Sequence, residues 1–142
     1  MKIFEFMTST IEGCDINTTI LEATKRMRDL NVGAVPVFQN QKVTGLVTDR
    51  DIVVRAIAAE LNPATTPLGE IMSKELQFCN SNDEIQLAAQ IMEKEQVRRL
   101  LVKSAEGDVV GIVSLGDIAT HVSKDLSGEI LQQISQPSHP KK

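Results

Sequence analysis

Apolar residues recur along this chain with two periods, and the whole pattern occurs twice. Ile20, Ala23, Met27 and Leu30 stand at helical spacing with Lys25, Arg26 and Arg28 on the other face, which predicts an amphipathic helix. Asn17–Thr19 marks its start, and Thr19 and Glu22 have capping-box spacing. Ile85, Ala88 and Met92 repeat the stripe. Short apolar runs follow each helix. Val35–Phe38 and Val43–Val47 flank the turn Gln39–Lys42, while Leu100–Lys103 and Val109–Val113 flank a turn at Glu106–Asp108, and each pair predicts two strands. A short strand around Cys14–Ile16, and another around Phe78–Cys79, precedes each helix. A second helix is predicted from after Thr48 to about Leu61, where Asn62-Pro63 stops it, with a counterpart after Ser114.

The two halves are copies. Met7–Val37 aligns with Met72–Val102 at an offset of 65, and Val43–Val53 aligns with Val109–Ala119 at an offset of 66. Of 42 aligned positions, 13 are identical, against about two or three expected by chance from ordinary composition. The expected fold is α/β: two β-α-β-β-α repeats, packed with pseudo-twofold symmetry because one such unit has too small a core alone. Residues 1–62 form the first repeat, 63–67 a linker, 68–126 the second repeat, and 127–142 a C-terminal extension expected to be disordered at its end.

Composition narrows the function. A length of 142 residues with 42% hydrophobic and 24% charged residues suits a globular chain rather than a disordered one. The net charge of −4 argues against a general nucleic-acid or membrane-surface binder. With no Trp, no Tyr and four Phe, an aromatic platform for stacked bases is not expected. The longest apolar runs, such as Gly33–Phe38, are far short of the ~20 residues of a membrane span. Glu5 interrupts the only apolar patch near the N-terminus, so no secretory signal is read there, and a cytoplasmic location is expected.

The sharpest motif is Gly-x-x-Thr/Ser-x-x-Asp at a strand-to-helix junction: Gly45, Thr48 and Asp51, then Gly111, Ser114 and Asp117. One reading is a helix cap and nothing more. The other uses the same geometry for a ligand. Free N–H groups at a helix start suit a phosphate, a carboxylate can accept two hydrogen bonds from a ribose diol, and the glycine lets a ligand approach the backbone.

The stretches MTSTIEGCDINTTILEATKRMRDLNVGAVPV with GLVTDRDI, and QVRRLLV with GIVSLGDIA, resemble stand-alone tandem CBS-domain proteins, or Bateman modules. The run VTDRDIVVRAIAAELNP is similar to small bacterial CBS-pair proteins of the hypoxic-response type. The resemblance spans roughly Phe6 to Val122. It implies a regulatory sensor of an adenosyl-containing nucleotide, of the AMP, ADP, ATP, NAD or S-adenosylmethionine type. It also implies a homodimer, no catalytic chemistry, and a signal passed to an unidentified effector protein. Carried over residue by residue, it implies a first ligand cleft of Thr48, Arg50 and Asp51 with Gln77, Phe78, Arg98 and Arg99. A second cleft would join Ser114 and Asp117 to Asp15, Ile16, Asn17, Gly33 and Ala34. Three guanidiniums at the first cleft suit phosphate.

Other residues add no chemistry. Cys14 and Cys79 read as small buried hydrophobes. His121 and His139 lack metal-ligand spacing, and Asp49 and Asp51 lie on different faces of a starting helix, so no metal site is expected. No catalytic set of residues appears, so neither an enzyme nor a resident cofactor is expected. A ligand-free dimeric scaffold is the alternative function. In it the capping boxes are only caps and the repeats only make a dimer; a homodimer is expected in any case, because the stripes Ile20–Leu30 and Ile85–Met92 exceed what one chain can bury.

Overall fold

The computed structural model describes residues 1–9, 12–121, 132 and 134; the rest of the extension, His139 included, lies outside the described residues. Between Cys14 and His121 the described residues show six strands and four α-helices in the expected order. They are β1 (Cys14–Asp15), α1 (Ile20–Leu30), β2 (Ala34–Gln39), β3 (Lys42–Thr48), α2 (Asp49–Asp51), β4 (Phe78–Asn80), α3 (Ile85–Glu95), β5 (Arg99–Lys103), β6 (Val109–Ser114) and α4 (Leu115–His121). They build two three-stranded sheets, β1-β2-β3 and β4-β5-β6. In each, the first pair is parallel and bridged by a helix, and the second pair is an antiparallel hairpin.

Local chemistry explains the boundaries. Thr19 Oγ1 accepts the Glu22 N–H at 3.3 Å to open α1, and Asn31 closes it in the left-handed region. Gln96 closes α3 in the same conformation. The β2–β3 turn is two residues long, and both Asn40 and Gln41 have positive φ, 52° and 68°, as a primed hairpin turn requires.

The described residues fall into two compact units, one drawn from Ile11–Leu76 and the other from Met1–Thr10 and Gln77–Lys142. The first encloses a core of Ile20, Ala23, Met27, Val35, Val37, Val47, Leu68 and Ile71. The second encloses Ile3, Phe6, Ile85, Ala88, Met92, Leu100, Val102, Val113 and Ile118.

A short strap completes each unit, and it comes from the other end of the repeat pattern. Residues 2–8 and 67–73, which correspond at the offset of 65, each contain one 3-10 turn, Ile3–Glu5 and Leu68–Glu70. Residues 67–73 run from the α1 cap, bridging Thr19 and Pro67, to the outer edge of β3, where Leu46 and Ser73 exchange hydrogen bonds of 3.0 and 2.9 Å. Residues 2–8 do the same for the second repeat, from Glu84 to β6, where Thr8 and Ile112 exchange bonds of 2.9 and 3.0 Å. Glu84, at the α3 cap, pairs with Lys2 Nζ at 3.0 Å, which holds its carboxyl below the usual range.

Two expectations need correction. The helix predicted to reach Leu61 is one α-turn followed by a π-helix over Ile52–Ile57, closed by Ala58 N–H to Val53 C=O and followed by Leu61 N–H to Ala56 C=O. The wider turn puts residues four and five apart on one face, so Ile52, Ala56 and Leu61 pack inward. The stripes invoked for a dimer are consumed at home except at one end: Ile20, Ala23 and Met27, and Ile85, Ala88 and Met92, are buried in their own units, while Leu30 stays exposed. The large apolar residues left most exposed along this segment are instead Val53, Val54 and Ile57, at 59%, 47% and 57%.

Candidate functional site

Each motif sits where the last strand of its sheet hands over to a helix. Thr48 ends β3 and pairs with Ala34 at the start of β2. Its Oγ1 accepts the Asp51 N–H at 3.1 Å, and its own N–H donates to Asp51 Oδ2 at 2.9 Å. Ser114 and Asp117 repeat this reciprocal box at 3.1 and 2.8 Å. The cap is therefore real at both places.

The caps leave little for a phosphate among backbone groups. The Asp49 N–H donates to Gly33 C=O at 3.0 Å, and the Arg50 N–H donates to Asp49 Oδ1 at 2.9 Å. With Asp51 N–H on Thr48, the first three N–H groups of the helix are satisfied within the unit. At the second motif the Leu115 N–H donates to Arg98 C=O at 2.8 Å. The glycines also serve packing rather than ligand approach. A side chain at Gly45 would fall on Met72, and one at Gly111 would lie 2.6 Å from Met7 Sδ. The strap methionines thus take up the room beside each glycine.

Side chains remain. Asp51 is 8% exposed, and its carboxylate is the centre of a small network. Oδ2 is committed to Thr48, whereas Oδ1 has only long contacts: Ser73 Oγ at 3.5 Å and Arg55 Nε at 3.7 Å. Arg55 Nη1 reaches the Ile71 and Met72 carbonyls, each at 3.4 Å. The sequence reading missed Arg55 and Ser73. Arg55 was legible as an acid–base pair at i, i+4 with Asp51; Ser73, on the strap, had no local signal.

The remaining expected residues separate by unit. Thr48, Arg50 and Asp51 fall in one unit, together with Asp15, Ile16, Asn17, Gly33 and Ala34. Gln77, Phe78, Arg98, Arg99, Ser114 and Asp117 fall in the other. Within the first, Gly33 and Ala34 meet Thr48 and Asp49. Asp15 pairs with Phe38 towards the far end of β2, where Ile16 N–H donates to Phe38 C=O at 2.8 Å. Within the second, Arg99 pairs with Ser114, so the two arginines stand beside that motif, with Arg98 exposed. Phe78 pairs with Leu101, Gln77 C=O accepts the Leu101 N–H at 3.0 Å, and Lys103 Nζ lies 4.0 Å over the Phe78 ring.

Cys14 and Cys79 are free thiols buried in their cores. Burial, with a smaller contribution from Asp83, pushes the Cys79 thiol up to about 12. Among the described residues no three His, Cys, Asp or Glu side chains converge, and no helix is long and apolar enough to cross a membrane.

Comparison with known proteins agrees with this architecture. The family model of the CBS domain matches residues 3–57 and again 68–124. The CBS domain-containing protein YhcV of Bacillus subtilis is 39% identical over 135 residues, which is 94% of this chain and 95% of that protein. The crystal structure of Hypoxic Response Protein I, which holds two coordinated zinc ions, superposes with a TM-score of 0.73 at 34% identity, covering 87% of this chain and all of that one. The CBS domain pair of protein MJ0100, solved with 5′-methylthioadenosine and S-adenosyl-L-methionine, superposes with a TM-score of 0.74 at 22% identity, over 91% of this chain and 98% of that one, a likeness of fold. Two matched segments, two repeated sheets and two identical caps place this chain in the CBS domain family, as a tandem pair.

Proposed function

We propose that this chain is a regulatory module that binds an adenosyl-containing nucleotide at its Thr/Ser-x-x-Asp motifs and passes the resulting change of shape to an effector protein. The observation that carries the reading is the Asp51 carboxylate. It is nearly buried, fixed in direction by the Thr48 N–H, and has one oxygen in long contacts only. Such an oxygen suits two short hydrogen bonds from a ribose diol. Arg98 and Arg99 beside Ser114 supply guanidiniums for phosphate. Pairs of CBS domains are regulatory modules in general, and this fold holds adenosyl compounds in MJ0100.

A thermal-shift panel of AMP, ADP, ATP, NAD, adenosine and S-adenosylmethionine tests this. A ligand at about 100 times its Kd stabilises by about 2.7 kcal/mol, which is about 8 °C at roughly 3 °C per kcal/mol for a chain of this size. Shifts below a degree throughout would favour the second reading.

That second reading is a ligand-free dimeric scaffold. The satisfied helix starts and the exposed Val53, Val54 and Ile57 favour it. A homodimer covering these three side chains is compatible with both readings. Sedimentation of wild type and of Val54→Glu shows it: a dimer for the first, a monomer for the second.

A further inference from the structure

Arg55 touches two parts of the same unit with different ends of one planar group. Its Nε faces Asp51 Oδ1 at 3.7 Å, and its Nη1 donates to the Ile71 and Met72 carbonyls at 3.4 Å each. Those carbonyls belong to the strap, and the next residue, Ser73, exchanges hydrogen bonds with Leu46 on β3 while its hydroxyl lies 3.5 Å from the Asp51 carboxylate. The strap is thus tied to the motif by a guanidinium and a hydroxyl. At the equivalent places of the other repeat the sequence has His121 and Thr8, so the arginine fork belongs to one motif only.

We infer that Arg55 is a positioning residue that couples occupancy of Asp51 to the strap 67–73. The inference rests on the reading of Asp51 as the group that accepts a ribose diol. The Asp51 carboxylate has few lone pairs to share. Oδ2 is committed to Thr48, so a diol binds at Oδ1, where Arg55 and Ser73 hold their long contacts. A short neutral donor displaces a 3.7 Å ion pair whose arginine is half exposed, because that pair is worth little in water. The released guanidinium then loosens its hold on the Ile71 and Met72 carbonyls, and the strap's bridge to β3 opens more often. The signal leaves the site through the chain's own backbone, without movement of a sheet.

The test uses the full chain with adenosine, whose lack of phosphate removes direct attraction to guanidiniums, and with AMP as the charged comparison. Calorimetry measures affinity for wild type, Arg55→Gln, Arg55→Lys and Asp51→Asn. Amide exchange is followed at Leu46 and Ser73 with and without adenosine. Arg55→Gln is expected to bind adenosine about 2- to 5-fold more tightly, the scale of a part-exposed ion pair. Adenosine is expected to speed exchange at Leu46 and Ser73 in wild type and to leave it unchanged in Arg55→Gln. Arg55→Lys keeps the charge and is expected to restore wild-type affinity while halving the exchange response or more. Two failures are distinguishable. If neither adenosine nor AMP binds at millimolar concentration, or if Asp51→Asn binds both as wild type does, the reading of Asp51 falls and the inference with it. If binding depends on Asp51 but affinity ignores Arg55 and exchange at Ser73 ignores adenosine, the coupling alone is overturned.

Discussion

Met72 lies against Gly45, its sulfur and γ-carbon filling the room that a side chain there would need. Met7 stands to Gly111 in the same way, with the Thr8 carbonyl beside it. The two glycines of the repeated motif are therefore contact points for the straps.

A difference between the two glycines follows. A Cβ at Gly45 meets a flexible methionine side chain, which can move. A Cβ at Gly111 meets Met7 Sδ at 2.6 Å and also the Thr8 backbone oxygen at 2.8 Å, which cannot move without breaking the bridge to Ile112. Gly45→Ala is expected to cost about 1 kcal/mol and Gly111→Ala about 3 kcal/mol, the lower and upper ends of overpacking. Urea midpoints measure both; equal costs would show that the strap at Met7 yields as readily as the one at Met72.

Capping and recognition separate at Asp51. Asp51→Asn keeps a side-chain oxygen for the Thr48 N–H and is expected to lower stability by about 1 kcal/mol, since the negative charge at the helix start is lost. For a ribose diol it loses charge-assisted hydrogen bonds of roughly 1.5–3 kcal/mol, or about 10- to 150-fold in affinity. At the other motif, Arg98→Ala is expected to weaken AMP and spare adenosine beside Ser114, because the lost contact is to phosphate. Calorimetry with both ligands reads the four numbers.

Cys79 gives a pH signature. Its thiol is pushed up to about 12 by burial, so the folded state holds the proton more tightly than the unfolded chain does. The resulting stabilisation is fully present below the ordinary thiol value, about 8.5, and is lost as pH rises from there towards about 12. Iodoacetamide at pH 8 is expected to leave Cys79 unmodified in the folded protein and to modify it in urea, as mass spectrometry would show.

The hairpin turn offers a gain. Asn40 and Gln41 both hold positive φ, and asparagine tolerates this far better than glutamine. Gln41→Gly is expected to stabilise by about 1 kcal/mol and to raise the Tm by about 3 °C. A fall in Tm would mean that the Gln41 side chain makes a contact worth more than its backbone strain.

Much of this was legible from local pattern. Alternation and helical spacing located every strand and α-helix between Cys14 and Ser114, though not the 3-10 turn Leu68–Glu70, and Thr48-x-x-Asp51 announced its cap because both partners lie within one turn. What was hidden depended on distance in sequence. A glycine signals that something comes close, without naming it; Gly45 and Met72 are far apart in the chain. The π-helix left a trace in the spacing: Ile52 and Ala56 share an α-helical stripe, whereas Leu61, five residues after Ala56, falls off it. Arg55 lay in plain view four residues after Asp51, but its second attachment, to Ile71 and Met72, required the fold.

The exchanged straps set an order on the nascent chain. The unit drawn from Ile11–Leu76 is contiguous and has all its parts once Leu76 has been made. Ile3 and Phe6, made before that unit, belong to a core whose other members reach to Ile134. At about 5–20 residues per second they wait roughly 7 to 26 s for it. A segment made before the first unit is thus among the last to find its place, and a cut between Leu76 and Gln77 severs the second core from two of its buried side chains while leaving the first whole.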